Sequence, residues 1–149
     1  MSSQVVSNPL GQRRRSREMA LQLLFQREFV TPGHGPTPEA AARRFVADFT
    51  IEEDVSEYGT RLFLGVNARI KEIDSVIQAH SAHWKTSRMG LVDLSVMRIA
   101  VYEMKFVEPV LTPNIAIDEA VELAKKFGST DSGSFVNGIL DHIARKLRE

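Results

Sequence analysis

The sequence predicts an all-α fold, a single compact bundle of about six to seven helices. Apolar residues recur every three or four positions over several segments of helix length, which places them on one face of each helix. The sequence shows no strand-like alternation of apolar and polar residues. A chain of 149 residues without cysteine is long enough to bury its own core and has no disulfide framework. We therefore expect one helical domain over residues 1–149.

The first half of the chain predicts three helices, over residues 13–29, 38–49 and 52–77. Residues 30–38 are rich in proline and glycine and predict a loop. Thr37 is the expected N-cap of the second helix, because Pro38 is favourable in a first helical turn. The third helix shows a sustained apolar face, along which Asp74 marks either a new cap or a kink.

The second half predicts three more helices, and its second and third helices meet at a Gly-Ser-Thr-Asp junction within residues 112–147. The helix that begins at Leu91 is apolar on several sides, so we expect it to be the central helix of the bundle. Gly128 is expected to end the next helix in the left-handed conformation. Asp131 or Ser132 is the expected N-cap of the last helix.

Positive charge is concentrated near the N-terminus although the net charge is zero. Residues 1–17 hold four arginines and no acidic residue, whereas the other 132 residues hold 15 basic and 19 acidic ones. The four are Arg13, Arg14, Arg15 and Arg17. The helix dipole disfavours cations at the predicted start of the first helix, so these arginines do not stabilise the helix there. Their guanidinium groups are well shaped to bind phosphate. The cluster therefore indicates a polyanion partner, with an ordinary solvated helix start as the alternative. Residues 1–12 are expected to be flexible.

Sequence motifs of the common enzyme classes are missing. The chain lacks the signatures of zinc proteases, serine hydrolases, phosphate-binding loops and dinucleotide-binding folds. His80 and His83 have no third metal ligand nearby in the sequence. We therefore expect no catalytic activity, no cofactor and no metal. No apolar run approaches the ~20 residues of a membrane span, and the absence of cysteine suits a reducing compartment, so the expected location is the cytoplasm.

The junction between the last two helices admits more than one binding hypothesis. Its spacing from Ala124 to Gly128 mimics a helix-turn-helix DNA-binding protein, but Asp131 and small residues at the next helix start suit duplex phosphates poorly. Single-stranded RNA suits the junction better, because unpaired bases stack on aromatic rings and bond small polar groups. Phe135 is the candidate ring, with core packing as its alternative. A protein-interaction adaptor, with the arginines on an acidic protein, stays open as well.

Three ordered blocks extend over nearly the whole chain. They are RRRSRE with Ala20 in residues 13–20, VDLSVMRIAVYE in residues 92–103, and NIAIDEAVELAKKFG followed by DS and FVNGILD in residues 114–141. Together they resemble the NusB family of bacterial transcription antitermination proteins. The resemblance implies a non-enzymatic helical bundle that binds the boxA element of nascent RNA together with NusE, a small-subunit ribosomal protein. It also implies entry into the antitermination complex on RNA polymerase, chiefly at ribosomal RNA operons.

The resemblance further implies two sets of site residues. The RNA-binding set is Arg13, Arg14, Arg15, Arg17, Asp131, Ser134 and Phe135. Ser134 departs from the family pattern, in which a basic residue can stand at this position, and this predicts weaker binding. Phe25 and Asp93 match the positions with which NusB proteins meet NusE. Phe25 lacks the aromatic hydroxyl found there in some relatives, while Asp93 stands at the start of the central helix and suits a basic protein surface.

Overall fold

The structure, a computed structural model, describes residues 9–147 and contains seven α-helices in that range. They are α1 (Pro9–Arg27), α2 (Pro38–Phe49), α3 (Glu53–Ala68), α4 (Ile70–Ala79), α5 (Leu91–Lys105), α6 (Pro113–Phe127) and α7 (Ser132–Leu147). A single 3₁₀ turn, Thr86–Arg88, lies between α4 and α5. Residues 9–147 form no strand, and the predicted all-α bundle is confirmed. None of these helices has the length and apolar character that crossing a membrane requires.

Helix α5 is the centre of the bundle, as its apolar character on several sides predicts. Ten of its 15 residues are buried, and it packs against α1, α3, α4, α6 and α7. Buried apolar residues of all seven helices join in one continuous cluster. Each fully buried leucine or isoleucine in such a cluster contributes about 1.5–3 kcal/mol of transfer free energy. The core therefore holds both chain halves around α5.

Helix α1 packs its predicted apolar face mainly on α3 and α5. The buried residues of this face include Met19, Ala20, Leu21, Leu23 and Leu24. Gly59 of α3 permits the close approach, since a Cβ there would lie 2.6 Å from the Met19 sulfur and 3.1 Å from the Ser16 carbonyl oxygen. The N-terminal half of α1 is thus held firmly against α3, and the side chains around it are positioned by that packing.

Helix α1 begins earlier than the sequence predicts. Its first described residue is Pro9, so Arg13 lies in the second turn and Arg17 in the third. The unfavourable dipole of a first turn therefore does not act on the arginines. Residues 9–12, expected to be flexible, are helical, and residues 1–8 lie outside the described part of the chain.

The structure confirms the predicted start of α2 and corrects the predicted length of α3. The Thr37 side chain accepts a hydrogen bond from the Ala40 backbone N–H at 3.1 Å, which is an N-cap. The predicted single helix over residues 52–77 is interrupted at Arg69, whose φ of −121° and ψ of 23° are not helical. Asp74 neither caps nor kinks a helix. It lies within α4 and accepts hydrogen bonds from the Arg98 guanidinium at 2.8 and 2.9 Å.

Candidate nucleic-acid interface

The four arginines of the N-terminal cluster divide into three exposed side chains and one buried side chain. The exposed ones are Arg13, Arg14 and Arg15. Arg17 is only 3% exposed. It precedes Leu21 and Leu24 by four and seven residues, so it lies on the buried face of α1. The apolar periodicity of α1, extended one turn toward the N-terminus, already points to Arg17 as an interior residue.

Arg17 is held by a buried ionic network that joins four helices. Its Nε donates to Glu103 Oε1 at 2.9 Å, and its Nη1 donates to Glu119 Oε1 at 3.2 Å. The Tyr58 hydroxyl also donates to Glu103, and burial together with the Glu103 carboxylate raises the pKa of that hydroxyl. The guanidinium of Arg17 is therefore neutralised inside the bundle, where it fixes the arginine-bearing turns of α1 against α3, α5 and α6.

Two of the exposed arginines also have carboxylate partners. Arg14 binds both oxygens of Glu119, with its Nε at 3.0 Å from Oε1 and its Nη2 at 3.2 Å from Oε2. Arg15 Nη2 lies 2.6 Å from Glu52 Oε1, and this hydrogen bond lowers the pKa of Glu52. The local charge is therefore smaller than the +4 of the sequence segment suggests. Both arginine side chains nonetheless stay about half exposed, at 51% and 52%.

Arg13 is placed differently from its neighbours. Its guanidinium carbon lies 3.7 Å from the centroid of the Tyr58 ring, a cation–π contact. Within residues 9–147 it forms no ion pair. Its surroundings are a shallow cleft lined by Gln12, Arg13, Asp54, Glu57, Tyr58 and Arg61. Arg13 therefore presents an exposed, positioned cation beside Tyr58 of α3.

A cleft of about 390 Å³ separates α1 from the C-terminal end of α6. Its lining includes the exposed Lys125 and Lys126, and Lys126 Nζ lies 2.9 Å from Glu18 Oε2. Arg14 lines the opposite wall. From the sequence alone, the favourable helix dipole at the end of α6 accounts for these two lysines. No sequence pattern indicates that they lie near the arginines of α1. The fold thus places two cations of α6 across from Arg14, in a cleft that is also lined by Glu18, Glu119 and Glu122.

Gly128 and Ser132 fix the turn between α6 and α7. The expected left-handed conformation of Gly128 is wrong, since its φ is −99° and its ψ is −160°, which is extended backbone. Crowding requires the glycine instead: a Cβ there would lie 2.4 Å from Ser132 Oγ and 2.7 Å from the Ala124 carbonyl oxygen. Ser132 Oγ also accepts from the Ser129 backbone N–H at 2.8 Å. The turn between α6 and α7 is therefore tightly fixed.

The three candidate RNA-binding residues of the junction lie together at the start of α7. Asp131 and Ser134 are exposed, and Ser134 Oγ donates to the Asp131 carbonyl oxygen at 3.3 Å. Phe135 is half-buried: its ring packs against the core on one side and meets Trp84 edge-to-face, with centroids 6.2 Å apart. Core packing and exposure are thus combined in one ring rather than being alternatives.

The junction adjoins the cleft between α1 and α6. A Cβ on Gly133 would lie 3.1 Å from Lys125 Cγ, so the first turn of α7 lies directly against this lysine. Lys125 shares the cleft with Arg14. Arg14, the two lysines and the junction therefore adjoin one another, and Arg13 and Arg15 flank Arg14 on α1. We call this group of residues the cationic face. It consists of Arg13, Arg14, Arg15, Lys125, Lys126, Asp131, Ser134 and Phe135.

Phe25 and Asp93 belong to a second surface. Phe25 is 40% exposed and lines an apolar groove with Leu21, Gln22, Gln26, Val92 and Phe127. Asp93 follows Val92 in the first turn of α5, is half-buried, and forms no ion pair with another described residue. The twelve residues of helix from Arg13 to Phe25 span about 18 Å. This apolar groove therefore lies at the other end of α1 from Arg13.

The histidines form a pair different from the one that their sequence spacing suggests. His80 Nδ1 lies 2.8 Å from His142 Nδ1, whereas His83 is exposed in the loop that follows α4. Burial, the His142 charge and Lys146 lower the pKa of His80. Among residues 9–147 no three histidine, aspartate or glutamate side chains converge in a way that would hold a metal ion.

The fold and these two surfaces define a class: a helical bundle with a cationic and aromatic face on one side and an apolar groove on another. The family model described as NusB family matches residues 14–145. The chain belongs to the NusB family of transcription antitermination proteins, and the resemblance carried by its three sequence blocks is confirmed.

Relatives agree over most of the chain. The chain is 46% identical over 138 residues to the transcription antitermination protein NusB of Bdellovibrio bacteriovorus, covering 91% of this chain and 97% of that protein. It is similar to the structure of T. maritima NusB, with 35% identity, a TM-score of 0.78 and coverage of 90% and 91%. A structure of antitermination factors NusB and NusE in complex with dsRNA has 28% identity, a TM-score of 0.78 and coverage of 92% and 98%.

Proposed function

We propose that this antitermination protein binds boxA-type single-stranded RNA together with the ribosomal protein NusE, and that the assembly joins RNA polymerase in the cytoplasm, chiefly at ribosomal RNA operons. The observation that carries the proposal is the cationic face, which combines positioned arginines with an aromatic ring and small polar groups. A family relative is seen with NusE and RNA in one structure. Non-enzymatic action follows, since binding alone is required for this role.

The exposed arginines of this face supply affinity for phosphate. Arg13 is the best placed, because its guanidinium rests on the Tyr58 ring without a carboxylate partner among the described residues. Arg14 and Arg15 keep exposed edges beside their glutamates, and a phosphate group near these pairs competes with a carboxylate that is already bound. Arg17 acts differently: its buried ion pairs hold this part of α1 in place.

The junction supplies contacts to bases. Asp131 and the Ser134 hydroxyl are exposed hydrogen-bonding groups, and the half-buried Phe135 adds an aromatic ring beside them. Unpaired bases are read in this way, whereas the bases of an A-form duplex are stacked and its major groove is closed to side chains. The related complex contains dsRNA, so duplex RNA is the natural comparison for any binding test.

NusE is proposed to dock on the apolar groove. Phe25 is an exposed aromatic anchor at its rim, and aromatic residues often dominate the binding energy of protein interfaces. The half-buried Asp93 beside Val92 adds a negative charge that suits a basic ribosomal protein. The groove lies about 18 Å along α1 from Arg13, so NusE is proposed to dock at the other end of α1 from the arginines. The two surfaces adjoin where Lys126 contacts the Phe127 ring.

A gel-shift titration tests the proposal. The full chain, with and without NusE, is titrated with a boxA-containing single strand, a scrambled strand of equal composition and the boxA duplex. We expect the boxA strand to bind tightest, and NusE to strengthen that binding further. Equal affinity for boxA and scrambled strands in the presence of NusE would contradict the proposed specificity. Tighter binding of the duplex would instead favour shape recognition of double-stranded RNA.

A further inference from the structure

Trp84 is an exposed tryptophan in the loop between α4 and α5, and its indole is 55% exposed. Its ring meets Phe135 edge-to-face, with centroids 6.2 Å apart and ring planes at 89°. The contact joins a loop residue to the first turn of α7, beside the exposed Ser134. The Trp84 ring therefore extends the aromatic surface of the junction from Phe135 to the α4–α5 loop.

The backbone of Trp84 is anchored although its side chain is exposed. Its N–H donates to the Ser81 carbonyl oxygen at 2.9 Å. Its carbonyl oxygen accepts from Gln78 Nε2 at 3.0 Å and from Ser81 Oγ at 3.1 Å. The Gln78 side chain also accepts from the Thr86 N–H at 2.9 Å, which closes the loop. A loop held this way is preorganised, so it loses little additional conformational entropy when a ligand stacks on the Trp84 ring.

The chemistry around the two rings favours nucleic acid over an apolar protein segment. Lys85 and Arg88 are exposed in the same loop, and Asp131 and Ser134 are exposed on the junction side. Cations and hydrogen-bonding groups around aromatic rings match bases that are linked by phosphates. The apolar groove at Phe25 differs, since its lining is mostly apolar.

We infer that Trp84 and Phe135 together form a stacking platform for neighbouring bases of single-stranded RNA, with Lys85 and Arg88 placed near the connecting phosphates. The inference deepens the proposed function and rests on it. It gives the RNA a path from the arginines of α1, across the α6–α7 junction, to the α4–α5 loop. Trp84 is then a binding residue rather than part of the core.

Fluorescence of the protein tests this directly, because Trp84 is the single tryptophan of the chain. Base stacking on an indole quenches its emission. The full chain is titrated with a boxA-containing single strand, and the same RNA is titrated by gel shift into Trp84→Leu, Trp84→Phe and the control Phe29→Leu. Phe29 is a more exposed ring, at 72%, two residues past the end of α1. We expect quenching of the unsubstituted chain and about 5- to 150-fold weaker binding by Trp84→Leu.

The variants separate stacking from other effects. Trp84→Phe keeps an aromatic face and is expected to recover part of the affinity, while Phe29→Leu leaves it unchanged. Binding of RNA without quenching, and with full affinity in Trp84→Leu, would overturn the platform and leave the proposed function standing. Emission that responds to NusE but not to bound RNA would also overturn it, in favour of a protein contact. If the unsubstituted chain binds no RNA with or without NusE, the proposed function itself fails, and the platform fails with it.

Discussion

The two ends of α1 have opposite chemistry. Toward the N-terminus ion pairs hold the helix in place. Arg17 lies in a buried network with Glu103 and Glu119, and Arg14 also pairs with Glu119. Toward the C-terminus it presents apolar surface, with Phe25 exposed at the rim of a groove. One helix, packed mainly on α3 and α5, therefore serves two surfaces.

This difference explains why the buried charges are tolerated. A buried ion pair costs desolvation, and hydrophobic replacements are often as stable. At this end of α1, however, the network fixes the orientation of the turns that bear the exposed arginines, because Glu119 holds Arg14 and Arg17 at once. The apolar end needs no buried ion pairs, because a groove that binds a protein partner depends on complementary shape more than on directed hydrogen bonds.

The largest expected effect comes from breaking the buried network. Replacing Glu103 by alanine leaves the buried Tyr58 hydroxyl without its acceptor and the Arg17 guanidinium with Glu119 alone, so the free energy of unfolding should fall by about 3–5 kcal/mol. Urea-induced unfolding measures this. The control Glu122→Ala, at an exposed position, should change it by less than about 0.5 kcal/mol.

A double variant sharpens the same comparison. Arg17→Leu with Glu103→Leu removes both charges, so the stability should recover part of the loss. The arginine-bearing turns, however, would lose their directed support, and RNA affinity should stay below that of the unsubstituted chain. If Glu103→Ala is as stable as Glu122→Ala, the ionic network does not hold this end of α1.

At the apolar end the informative change is Asp93→Lys. A lysine there faces a basic partner with like charge, and NusE affinity measured by pull-down or calorimetry should fall by about 1–2 kcal/mol. RNA binding by the chain alone should barely change. Asp118→Lys, on α6, provides a charge-matched control. NusE binding that survives Asp93→Lys in a folded protein would remove Asp93 from the docking surface.

The salt dependence of RNA binding distinguishes the arginines from one another. If Arg13 contacts a phosphate of a single strand, Arg13→Ala should flatten the slope of log K against log salt by about 0.7. Arg17→Lys, which keeps the buried charge, should leave the slope unchanged. Equal slopes for the unsubstituted chain and Arg13→Ala would exclude a phosphate contact at this residue.

The smallest expected effect is a pH dependence of stability at the histidine pair. The folded protein lowers the pKa of His80 below its ordinary 6.5, so the unfolded state binds the proton more readily. Stability is therefore fully present above about pH 6.5 and declines as the pH falls toward the folded pKa. Thermal melts from pH 8 to pH 5 should show a smaller decline in His142→Leu, because the neighbouring charge is removed. An identical decline in both proteins would contradict this cause.

Much of the fold follows from the sequence, because apolar periodicity and breakers are local. The central α5 and the α6–α7 pair are of this kind. The break at Arg69 is not, since no glycine or proline marks it and the apolar face continues across it. Gly128 shows a further limit: the turn requires glycine there because a side chain would clash with Ser132, and only the packed turn reveals this.

The candidate site was predictable in composition but not in arrangement. Arg17 resembles its neighbours in sequence, yet its carboxylate partners Glu103 and Glu119 come from α5 and α6, 86 and 102 residues away. Charged residues within apolar stripes of α1 and α5 are the available signal for such a network. Trp84, in a polar loop, has no periodicity to place it, and its contact with Phe135 depends on tertiary structure.

The separation of the two surfaces is tested most directly by one paired titration. The variant with Arg13, Arg14 and Arg15 all replaced by alanine is titrated with the boxA-containing strand and, separately, with NusE. We predict at least about tenfold weaker RNA binding, or roughly 1.4 kcal/mol, with NusE affinity unchanged. Parallel loss of both affinities in a folded variant, or full retention of RNA binding, would contradict the assignment of RNA and NusE to opposite ends of α1.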